Sequence, residues 1–137
     1  MGMESIGTGI KSTINISGLR VYASNELPDS VNELPALLIL PSGVRYKQTF
    51  GDSTATSIYS FRLIIVLSRA DTPSAFNAIL DYAEQTGDKS IVAKVAADRT
   101  LSGSCDTSWV SDNLGIGSTK WGNTSYLTTE FLLEAYV

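Results

Sequence analysis

The side chains able to do chemistry are few. The chain has fourteen carboxylates, ten Lys or Arg, a single thiol (Cys105) and no histidine. Without an imidazole, the commonest general base and the commonest metal ligand are missing, and so is every triad built on one. Cys105 has no histidine to activate it and reads as an ordinary buried or loop cysteine. Paired carboxylates remain: Glu130 and Glu134 in EFLLE, and Asp81 and Glu84 in LDYAE. Their spacings suit a solvated strand face and a solvated helix face. GTG near Ile6 and GIG at Gly115–Gly117 lack the strand-before, helix-after setting of a phosphate loop. The sequon Asn123–Ser125 has no signal pattern ahead of it to make it a glycosylation site. The expectation is a protein that is not an enzyme and carries no cofactor or metal.

Composition bounds the rest. A chain of 137 residues, 43% hydrophobic and 18% charged, predicts one well-cored domain spanning 1–137. The apolar run Leu63–Leu67 is too short to cross a bilayer, so no membrane partner is expected, and a lone cysteine fits a reducing cytoplasm. A net charge of −4 argues against a general nucleic-acid binder. That charge is uneven. Residues 1–70 hold six Lys/Arg and five Asp/Glu, which is +1; residues 71–137 hold four and nine, which is −5. Two solvated faces of one domain account for this; the sharper reading is an acidic surface that repels polyanions.

Positioning falls to alternating strands and a few helices. Met3, Ile6, Ile10 and Ile14 step by three and four, predicting an N-terminal helix that Gly7 and Gly9 weaken. GLRVYAS reads as a short strand, and NELPDSVNELP as an irregular connection. PALLILPSGVRYKQTF reads as strand, PSG turn and strand, followed by a flexible polar tip, GDSTATS. In SIYSFRLIIVLSR, Tyr59, Phe61, Leu63, Ile65 and Leu67 share one face. Phe76, Ile79, Leu80 and Ala83 predict a helix capped by Thr72 and stopped at Gly87. A second helix follows, with Asp88 as cap and Ile91, Val92, Val95 and Ala96 inward. TSWVSD is a strand, NLGIGSTKWGN a glycine-rich loop, and SYLTTEFLLEAYV a closing strand. Trp109 and Trp121 flank that loop, as core or as contact surface. The predicted fold is α+β: a mainly antiparallel sheet with two central helices covering one face.

The opposite face of the long strand, Ile58, Ser60, Arg62, Ile64 and Val66, turns apolar at its end. With both helices already used, the Ile64/Val66 patch needs a second cover, from a neighbouring subunit or the N-terminal segment. Phe50, Ile116 and Trp121, apolar residues on polar loops, are the other candidate interface anchors.

The order GLRVY, LPALLILP, a long strand ending VLSRADTPSA, then GDKSI, DRTLSG and a closing YLTTEFLLEAYV resembles tail terminator proteins of long-tailed bacteriophages. These are also described as tail completion or head–tail joining proteins. The resemblance runs from about Ile14 to Val137. It implies an α+β domain that forms a six-membered ring in the virion, on the head-proximal end of the tail tube, after assembly in the host cytoplasm. Its implied partners are further copies of itself, the major tail tube protein and a neck or head-completion protein, with genome DNA passing through the lumen unbound. A neck or minor tail component, or a cytosolic binding module unrelated to viruses, would fit the same residues.

Overall fold

In the computed structural model, which describes residues 3–16, 18–23, 35–46, 57–69, 80–121 and 124–137, five strands form one mixed sheet in the order β1-β2-β3-β5-β4. They are β1 (Arg20–Tyr22), β2 (Ala36–Tyr46), β3 (Ser57–Arg69), β4 (Thr107–Trp121) and β5 (Thr124–Tyr136). Only β1 and β2 run parallel; every other pair is antiparallel. Helices α1 (Met3–Thr13) and α2 (Ile91–Ala97) complete the α+β domain. Residues 80–83 are helical. The rest of that expected helix, with Thr72, Phe76 and Ile79, lies outside the described residues, as do NELPDSVNELP to its last leucine and the GDSTATS tip.

The alternation in β3 produces two cores. Phe61, Leu63 and Ile65 point to the main core, with Leu37 and Ile39 from β2 and Phe131, Leu133 and Ala135 from β5. Helix α1 joins them through Ile6 and Ile10, and Ile14 follows just past its end; each is wholly buried. Burying three isoleucines is worth roughly 5–9 kcal/mol, against roughly 2 kcal/mol lost to two helical glycines. Packing therefore wins, and Gly9 is part of the packing. A Cβ there would sit 2.2 Å from Ser104 Oγ and 2.3 Å from Leu101 O. The residue that weakens the helix is the one that lets it dock.

The surface that receives Gly9 is a tight turn after α2. Asp98 is the C-cap, where a negative charge opposes the helix dipole. Its carboxylate is held instead by Thr100 Oγ1 at 2.6 Å, Ser102 N at 3.0 Å and Thr100 N at 3.2 Å. The Thr100 hydroxyl, then the Ser102 amide, pull its pKa below the ordinary carboxylate range. The turn carries left-handed Leu101 (φ 51°) and Ser102 (φ 60°), a conformation costing about 1–3 kcal/mol per residue. Leu101 is buried completely and its carbonyl accepts from Ser104 Oγ at 2.7 Å.

Several expectations need correction. PSG does not turn the chain: β2 runs straight through it, because a bulge between Pro41 and Gly43 leaves Ser42 unpaired. Proline has no N–H to give a ladder, and a bulge asks for none. NLGIGSTKW is not an open loop either, as β4 continues through it to Trp121. Asn113 Oδ1 accepts from Gly115 N at 2.8 Å, Asn113 Nδ2 donates to Thr129 Oγ1 at 2.9 Å, and Thr129 Oγ1 donates to Gly115 O at 2.9 Å. With Gly115 at φ 93°, the strand absorbs its extra residue and pairing resumes at Ile116. Ser90, not Asp88, caps α2, accepting from Ala93 N at 3.1 Å. Ile91 and Val95 are buried in the core as expected, but Ala96 is exposed. Leu80 is exposed and Tyr82 is buried in its place.

Gly9→Ala should destabilise the domain by about 1–3 kcal/mol through overpacking, although alanine favours an isolated helix by about 1 kcal/mol. Urea unfolding reports the sign. Asp98 gives a second expectation. Its carboxyl titrates lower folded than unfolded, so its stabilisation is present above the unfolded value and is lost as pH falls through the folded one. The melting-temperature gap between wild type and Asp98→Asn should therefore be full at neutral pH and close on acidification; a gap independent of pH would refute the role.

Candidate assembly interface

Strand register assembles the second, back face of the sheet. Arg45, Ile58 and Tyr136 stand side by side, then Leu40, Arg62 and Leu132, then Ala36, Val66 and Thr128. The last end is closed. Ile64 is 4% exposed and Val66 1%, in a cluster with Ala36, Leu38 and Tyr126. The chain itself hides this patch, so Ile64 and Val66 are core residues and no neighbouring subunit is needed to cover them. The N-terminal helix is not their cover, since it packs on the opposite face.

The other end of the back face is open, and its composition is that of a contact surface. Trp109 is 37% exposed and lies against Tyr136, ring centroids 4.7 Å apart. The Tyr136 hydroxyl donates to Glu134 Oε2 at 3.3 Å; partial desolvation, then the Glu134 charge, raise its pKa. Arg62 donates through Nε to Glu130 Oε1 at 2.9 Å, and its second guanidinium nitrogen makes the same pair. Arg45 and Leu132 complete the patch, exposed and half-buried respectively. Tryptophan, tyrosine and arginine on a polar-rimmed surface are the residue types that anchor protein contacts.

This geometry separates the expected carboxylate pairs. Glu130 and Glu134 lie on one strand with their backbones about 13 Å apart at four strand rises, and each carboxylate is engaged separately, Glu130 by Arg62 and Glu134 by the Tyr136 hydroxyl. Asp81 and Glu84 are both exposed. Cys105 is buried with its thiol 3.6 Å from Arg99 O, and burial first of all pushes its pKa up, away from nucleophilic chemistry. Among the described residues, no three His, Cys, Asp or Glu gather to hold a metal, and no helix is long and apolar enough to cross a membrane.

The structure does not unite the loop anchors. Ile116 is half-buried in β4 opposite Thr129. Trp121 ends β4 opposite Thr124, its side chain outside the description, and Phe50 lies outside the described residues. Arg45, Arg62 and Tyr136 escaped the sequence reading because only register sets them on one face of the sheet with Trp109. Searched against models of protein families and against curated proteins, the chain matches none.

Val66→Asp should abolish folding, since an unpaired charge in a sealed cluster exceeds the few kcal/mol a small domain can lose. Circular dichroism should show no cooperative melt. A folded variant defective only in association would return Val66 to the surface.

Proposed function

We propose that this chain is a structural subunit of a bacteriophage tail, a terminator that forms a ring on the head-proximal end of the tail tube, stops its growth and joins it to the head connector. The observation that carries the reading is the ordered set of motifs, GLRVY, LPALLILP, GDKSI and DRTLSG, and the tertiary work they do. LPALL supplies Leu37, and GDKSI supplies Ile91, to the main core. DRTLSG is the turn on which Gly9 docks. The open half of the back face supports the reading too, because a ring subunit needs a contact surface of its own. An acidic C-terminal half suits a lumen through which DNA slides without sticking.

Light scattering and negative stain on purified protein test this, alone and with growing tail tubes. Rings of a fixed subunit number, and tubes that stop lengthening when the protein is added, are expected. Trp109→Ala should leave the melting cooperative and weaken ring formation by roughly tenfold, about 1.4 kcal/mol, or more if Trp109 is a contact anchor. Protein that stays monomeric and leaves tube growth unchanged would refute the proposal.

A further inference from the structure

One row of the open back face carries its bulkiest residue at one end and its smallest at the other. Register sets Gly43 of β2, Ser60 of β3, Glu134 of β5 and Trp109 of β4 side by side. Trp109 is 37% exposed. Gly43 is exposed too, and nothing inside the chain asks for a glycine there. Its φ is not left-handed, and a Cβ built on it would meet no atom of the described residues within 4 Å. The neighbouring bulge takes Ser42 as its extra residue, and a bulge calls for glycine where φ is positive. The remaining use of a glycine within a strand is close approach by another molecule.

The charges of this half are divided by strand. Arg45 and Arg62 come from β2 and β3, whereas Glu130, Glu134 and Asp112 come from β5 and β4. Arg62 and Glu130 pair within the chain and count for neither side. Arg45 is then left on one side; among the described residues it makes no hydrogen bond or ion pair. On the other side remain the exposed Asp112 and Glu134, which accepts from a neutral hydroxyl and not from a cation.

A two-fold axis parallel to the strands, midway between β3 and β5, lays β2 of one copy over β4 of the other and β3 over β5. Sheets stacked face to face sit about 10 Å apart, and a bare glycine leaves room beneath a tryptophan at that spacing. Each Trp109 then stands over the other copy's Gly43. Ser60 faces Glu134, Ile58 faces Tyr136, and the Arg45 side of each copy faces the Glu134/Asp112 side of the other. An axis across the strands would instead lay Trp109 on Trp109 and the arginine-bearing strands on each other. We infer that in the free protein the open half of the back face is covered by the same face of a second copy, with Trp109 seated over Gly43 twice. This goes beyond the ring reading. A two-fold contact is complete at two copies, so a ring built through this face must first open the dimer.

Sedimentation velocity over a range of concentrations, without tail tubes, tests it. The wild-type chain should exchange between one copy and two. Gly43→Val should raise the dimer dissociation constant about tenfold or more, with the melt still cooperative because its Cβ meets nothing in the monomer. Trp109→Ala should do the same, and it carries the test if Gly43→Val does not fold. Arg45→Glu should weaken the dimer too, by less at high salt. A wild type that stays monomeric at the highest concentration, or a dimer that these glycine and tryptophan variants leave intact, overturns the inference. A monomer that nonetheless stops tube growth sinks the dimer and leaves the ring reading standing. A dimer that behaves as stated but leaves tube growth unchanged keeps the contact and sinks the ring.

Discussion

The domain depends on one constraint: β3 is the middle strand of the sheet, and its back face is sealed at Ile64 and Val66 but broken by Ser60 and Arg62 between that end and buried Ile58. Phe61, Leu63 and Ile65 require α1 and α2 above them, and Ile64 and Val66 require closure beneath. Toward the start of the strand the back face carries Ser60 and Arg62 instead. The change from polar to apolar along one face of one strand therefore divides the back of the sheet into a sealed half and an open half. The Trp109–Tyr136 pair and both exposed arginines belong to the open half.

Helix α1 is held to this frame by fit rather than by propensity. It brings two buried isoleucines, with Ile14 following at its end, and a glycine that admits the 98–104 turn, which is itself held by a carboxylate at a helix end where the dipole disfavours it. Left-handed Leu101 and Ser102, an unfavourable cap charge and a helix with two glycines would each read as a flaw in isolation. Together they form one close-packed joint, and relaxing any one of them disturbs the others.

How much was legible in the sequence follows from how local each cause is. β3, β5, α1 and the inward residues Ile91 and Val95 were legible because period and burial coincide along a single segment. The PSG and NLGIG stretches were misread because glycine and proline report backbone freedom, not pairing. Whether such a residue turns the chain or bulges it depends on a neighbour, here Thr129, sixteen residues from Asn113. Ile64 and Val66 failed as interface candidates for a related reason: counting helices says nothing of how the second face is closed. Trp109 was visible as a residue of either core or surface, whereas Arg45, Arg62 and Tyr136 acquire meaning only through cross-strand register.

The two irregularities of β4 have a consequence for what can add to that edge of the sheet. A fifteen-residue outer strand with an even ladder would invite a stranger's backbone to extend the sheet, and such addition has no natural end point. Register breaks at Val110/Asp112 and at Asn113/Ile116 interrupt the row of amides and carbonyls twice within ten residues. A broken comb cannot mesh with a straight one. Addition of another main chain along β4 is thereby disfavoured, and what this edge offers instead is its side chains.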